Sequence, residues 1–180
     1  WASWARALVL EAQGATEQAL TTLTSSWELC ARSGFAVELP VLGPDLVRLA
    51  LAAGHPAQAQ QAAAAVTKVA AANQVASLTA AARRCQGLAT DNPEVLGSAV
   101  DAYAATGRPL ELALAAEDAG TALAHHGRPE AAVPLLHQAL AGYEDLDAAR
   151  GAARVQARLR ELGVRRGRRG PRQRPRLGWP

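Results

Sequence analysis

Apolar residues and alanines recur along the chain at steps of three and four, separated by polar positions, and almost nowhere does the pattern alternate. Recurrence at i, i+3, i+4 and i+7 lays one apolar stripe along a helix, whereas a half-buried strand needs a period of two. A short phrase interrupts the stripes: Gly14-Ala-Thr-Glu-Gln-Ala19, Gly54-His-Pro-Ala-Gln-Ala59, Gly107-Arg-Pro-Leu-Glu-Leu112 and Gly127-Arg-Pro-Glu-Ala-Ala132. Glycine suits the left-handed residue that ends a helix, and proline suits the first turn of the next. The pattern predicts nine helices, at roughly 2–13, 15–32, 44–53, 56–72, 74–88, 93–106, 109–126, 129–145 and 147–162. Turns this short make neighbours antiparallel. Residues 33–43, which include Gly34, Pro40 and Gly43, read as a longer connection, as do residues 89–92. Pro134 sits inside a helical stretch and removes a backbone donor there, so it should bend that helix or delay its start.

Composition strengthens the helical reading. Of 180 residues 44 are alanine, against one Phe and two Tyr. Alanine costs nothing in a helix and has little to pack on a pleated sheet, so the expected class is all-α. No apolar run approaches the 18 or so residues of a membrane span, and no charged-then-apolar leader opens the chain, so a soluble, cytoplasmic protein is expected. Cys30 and Cys85 are far apart in helical sequence and read as buried small hydrophobes, not as a disulfide or a metal knuckle. The chain has no methionine and begins at Trp1 in helical sequence, which reads as an excerpt of a larger protein.

The net charge of +3 conceals a division. Residues 1–164 contain 12 Lys and Arg and all 16 Asp and Glu, a net −4, while residues 165–180 contain seven arginines and no acid. Two segments are therefore expected: a helical array over residues 1–163 and an Arg-rich linker or tail over 164–180. In the tail, interleaved Gly and Pro forbid a helix and like charges repel, so it should be extended and disordered. Arg165, Arg166, Arg168, Arg169, Arg172, Arg174 and Arg176 could neutralise DNA phosphates without reading sequence; the bland alternative is a solvated linker.

Residues 113–146 resemble the tetratricopeptide repeat, a 34-residue helical hairpin in which small residues sit where two helices cross. Ala116, Ala119, Gly120 and Leu123 match its first helix, Gly127 its turn, and Ala132, Leu136 and Ala139 its second helix. Its early aromatic is here Ala116, and its closing proline is Glu144. Ala7, Leu10, Ala19 and Leu23 repeat part of the pattern around Gly14, as do Leu46, Ala50, Ala59, Ala63 and Val66 around Gly54. The resemblance implies a solenoid of about nine antiparallel helices, with the first helix of each hairpin lining a groove. Glu117, Thr121 and Ala124 would then face a ligand, with Gly120 against its partner helix.

A second resemblance spans roughly residues 44–180. Leu46 to Gly54, Thr106 to Ala113, Ala116 to Gly120, Ala139 to Glu144 and Ala153 to Gly163, followed by the arginines and Gly178-Trp179, look like the helical-repeat region of large actinobacterial LuxR-type regulators. Members of that family join an ATPase module, a tetratricopeptide-like sensor and a C-terminal helix-turn-helix. The resemblance implies a non-catalytic sensor or interaction segment. A protein or small inducer would bind in the groove, DNA would be bound by a domain expected to begin beyond Pro180, and ATP, if used, would bind elsewhere in the parent protein. A free-standing tetratricopeptide adaptor for a peptide or protein is the alternative, a small helical enzyme ranks below both, and the oligomeric state is left open.

Catalytic and metal chemistry find few residues to work with. The sequence has no phosphate loop of the G-x-x-x-x-G-K-[ST] form and no Gly-x-Ser-x-Gly elbow. His125 and His126 are adjacent and diverge on a helix, and His137 has no supporting ligand at suitable spacing, so no metal and no cofactor are assigned to this segment. Glu117 and Asp118 also diverge, and read as a solvated or groove-facing pair. Trp4 and Trp27 are expected to pack between the first two helices, and Trp1 to lie at an open end of the array.

Overall fold

Helix stop and start signals alternate so regularly that the described chain contains little besides helices and the turns between them. The computed structural model describes residues 2–164. Trp1 and the arginine segment 165–180, including its expected extended state and DNA contacts, lie outside the described residues. Among those described, the helices are α1 (Ala2–Ala12), α2 (Thr16–Arg32), α3 (Leu39–Ala52), α4 (Pro56–Asn73), α5 (Ala76–Ala89), α6 (Pro93–Ala104), α7 (Pro109–His125), α8 (Pro129–Asp145) and α9 (Ala149–Glu161). The protein is all-α, as its periodicity predicts.

Proline opens α4, α6, α7 and α8 in the first turn, where its missing N–H has no intrahelical partner to lose. Asn92 caps α6 by accepting from the Val95 N–H at 3.0 Å. At the helix ends, Gly54 and Gly127 take φ of 80° and 68°. The next N–H then reaches back to an orphan carbonyl, His55 to Ala50 at 2.8 Å and Arg128 to Leu123 at 2.9 Å. Where a turn lacks glycine, Asp91 and Asp147 adopt the left-handed conformation instead.

Each helix packs on its neighbours in sequence, and α3 also packs on α5. The result is four hairpins, α1–α2, α3–α4, α5–α6 and α7–α8, followed by α9, an arrangement compatible with a solenoid. Ala19, Ala59, Ala99, Ala119, Ala132 and Ala139 are fully buried, and leucines such as Leu23, Leu46, Leu96 and Leu136 fill the spaces beside them. Glycines mark the closest approaches. A Cβ on Gly120 would lie 2.8 Å from Leu136 Cγ and 3.2 Å from the Ala132 carbonyl oxygen, and one on Gly151 would lie 2.7 Å from the Tyr143 ring. Trp4 and Trp27 reach beyond the first hairpin, to Asp45 and to Gly43 of α3.

Two sequence expectations need correction. The connection expected over 33–43 is shorter, because a 3-10 turn at Ala36–Glu38 leads directly into α3 at Leu39. Pro40 fits the first turn of that helix, and Gly43 is a packing residue against Val66 and Cys85, not a turn residue. Leu39, Pro40, Leu42, Gly43 and Pro44 are all buried, so tertiary packing outweighs the weak helix propensity of Gly43 and Pro44. Pro134 does not delay α8, which begins at Pro129 and runs through it. Pro134 is exposed, so water can reach the carbonyl that its ring deprives of a partner.

Candidate functional site

The odd-numbered helices share one face, and charged side chains on that face pair from hairpin to hairpin. Arg48 of α3 forks onto Glu11 of α1, with Nη2 to Oε2 at 2.9 Å, and Nη2 also bonds Asp45 Oδ1 at 3.1 Å. The other Asp45 oxygen accepts from Trp4 Nε1 at 2.9 Å. Arg84 of α5 donates from Nε to Asp118 Oδ2 of α7 at 2.7 Å. Arg154 of α9 grips Glu117 of α7 through Nε at 2.5 Å and Nη2 at 2.6 Å. These three cross-hairpin ion pairs join residues 37, 34 and 37 apart. The second helices and turns keep the same register: Gln58 bonds Thr24 at a separation of 34, Arg128 pairs with Glu94 at 34, and His126 with Asp91 at 35.

Glu117 is buried and not solvated. It is 4% exposed, accepts from the Tyr143 hydroxyl at 2.7 Å, and lies 3.6 Å from Arg158. Burial disfavours its charged form, but the bond from Arg154, that guanidinium's charge, the Tyr143 hydroxyl and Arg158 together outweigh burial and hold the carboxyl below its ordinary value. Burial, and then the Glu117 charge, push the Tyr143 phenol well up. Residues 117, 121 and 124 share one side of α7 by their spacing. The Thr121 hydroxyl is buried without a hydrogen-bond partner, and Ala124 is half-buried. Glu117 therefore joins α7 to α8 and α9. Asp118, one residue on, turns instead toward α5.

A cleft on the odd-helix face lies nearer the N-terminus. It measures about 70 Å³ and is lined by Trp4 of α1, Val41 and Asp45 of α3, Leu78 and Arg84 of α5, Tyr103 of α6, and Leu110, Glu111 and Leu114 of α7. Arg84 is 2% exposed. Burial opposes its charge, but Asp118 and Asp45 prevail and keep it protonated. The Tyr103 phenol is pushed up to about 12, chiefly by burial. Neither Arg84 nor Tyr103 stands out in the sequence, although pairing acids with arginines about one hairpin length apart draws attention to Arg84.

His125 ends α7, His126 bonds Asp91 at 3.0 Å, and exposed His137 lies on α8. Among the described residues no three His, Cys, Asp or Glu side chains gather as a metal site. Both cysteines are free; Cys85 is fully buried and its thiol is pushed well up by burial, while Cys30 is half-buried. Among the described residues no helix is long and apolar enough to cross a membrane. No protein-family model matches the chain, and neither the curated proteins nor the solved structures contain a significant match.

Proposed function

We propose that the chain is a non-catalytic, tetratricopeptide-like interaction segment of a LuxR-type transcriptional regulator. The face shared by the odd-numbered helices receives a protein segment or small inducer, and its occupancy is relayed to an adjoining helix-turn-helix domain. The observation that carries the repeat assignment is the register of the cross-hairpin pairs: three independent ion pairs on one face recur at separations of 37, 34 and 37 residues. A repeating hairpin of roughly that length supports this reading, since it brings successive first helices side by side. The regulator assignment rests on the order of sequence features over residues 44–180 and on the seven arginines after residue 164. In this role the segment holds no cofactor, works in the cytoplasm, and uses its arginines to add unspecific affinity for DNA.

Two measurements test the proposal. The gene should encode a helix-turn-helix shortly after the codon for Pro180; a stop codon there overturns the regulator assignment and leaves a free-standing adaptor. The full chain should retard a random-sequence DNA duplex, with log affinity falling against log salt at a slope of up to about −6 if all seven arginines meet phosphates. Deleting residues 165–180 should abolish the retardation and leave the thermal midpoint nearly unchanged. Equal retardation by the truncated chain would remove the tail from the proposed role.

A further inference from the structure

The cleft between α1, α3, α5 and α7 has apolar walls, and one of its lining residues, Arg84, carries a buried donor without an acceptor. Trp4, Val41, Leu78, Leu110 and Leu114 supply apolar surface, and each of the four first helices contributes to the lining. Arg84 lines the same cleft. Its Nε is committed to Asp118, while its Nη2 is buried and has no hydrogen-bond partner. A guanidinium N–H shut away from water is unfavourable until an oxygen accepts from it, and an apolar cleft around such a donor is the usual form of a small-molecule site.

The charges around the cleft narrow the class of ligand. Asp118 offsets Arg84, Asp45 is held by Arg48 and the Trp4 indole, and Glu111 pairs with Arg108 at 3.1 Å. Every formal charge at the lining therefore already has a counter-charge. A further carboxylate would bring an uncompensated negative charge beside Asp45 and Asp118, whereas a neutral carbonyl oxygen would satisfy Nη2 without disturbing that balance. We propose that this cleft binds a small neutral molecule with an apolar body and a single carbonyl oxygen, which accepts from Arg84. This deepens the assignment of the odd-helix face as the receiving surface by naming the chemistry of what it receives.

The test follows the Trp4 indole N–H resonance, assigned with Trp4→Phe, while the full chain is titrated with cyclohexanone, cyclohexanecarboxylate and methylcyclohexane. Cyclohexanone should give a saturable shift and the other two a much weaker one. Ser77→Phe, which places a ring at the half-buried edge of the cleft, should weaken cyclohexanone binding at least about tenfold while the helical spectrum is retained. Arg84→Lys keeps a cation for Asp118 but loses the second donor nitrogen, and should weaken cyclohexanone selectively. If that variant fails to fold, Ser77→Phe still decides the location and the three probes still decide the chemistry. Tighter binding of the carboxylate, or equal binding of methylcyclohexane, would overturn the neutral-acceptor assignment, and the absence of a saturable shift with any probe would overturn the site. None of these readings involves DNA or a partner protein, so the cleft can fail while the regulator proposal stands, and the reverse.

Discussion

Glu117 and Asp118 are adjacent in sequence and serve different joints of the molecule. Because successive helical positions point about 100° apart, one carboxylate reaches α8 and α9 and the other reaches α5. Their divergence was legible from the sequence, but the burial of Glu117 was not, since it depends on Tyr143 and Arg154, which lie 26 and 37 residues away. Replacing Glu117 with Gln should lower stability by about 2 kcal/mol, because Arg154 loses the buried negative charge and one of its two acceptor oxygens while solvent screens its half-exposed end. The sign of the pH dependence follows from a native carboxyl held below the unfolded value of 4.5. Its contribution is complete above that value and is lost as pH falls through the lower native one. Denaturant unfolding of the wild type and Glu117→Gln should therefore give curves that differ at neutral pH and converge in acid; a constant difference would mean that the bond does not require the charge.

At the level of elements, the recurring Gly-x-Pro phrase locates helix ends within a few residues, because the left-handed stop and the proline start are local chemistry. Its failure at the beginning of α3 has an equally local cause. Gly43 and Pro44 resemble a turn until Val66 and Cys85 are seen packed against that glycine, a contact made by α4 and α5. Glycines within helices thus divide into two kinds, separable by substitution. Gly120→Leu should force α7 from α8 and cost about 1–3 kcal/mol, since even a Cβ would collide with Leu136. Gly97 of α6 has nothing within 4 Å of an added Cβ, so Gly97→Ala should stabilise by about 0.5–1 kcal/mol through helix propensity alone. Thermal unfolding of the two variants checks both, and shifts of the same sign would mean that glycine at a helix crossing is not what brings α7 and α8 together.

Across the whole molecule, the paired face imposes an order on the hairpins. A stack of interchangeable units tolerates loss or duplication of any one, but here the sign of charge differs from unit to unit. Glu11 is followed by Arg48, and Arg84 by the acids of α7 and then Arg154. Excising residues 39–75 would bring Glu11 to Arg84, opposite charges, whereas excising residues 109–148 would put Arg158 in the place of Asp118, facing Arg84, two cations without the acid that now separates them. The first chain should still unfold in one cooperative transition and the second should lose that cooperativity, as circular dichroism during denaturation would show. The face that holds neighbours together thereby acts as a grammar, stating which hairpin can follow which, and limits how this array can be shortened, copied or recombined.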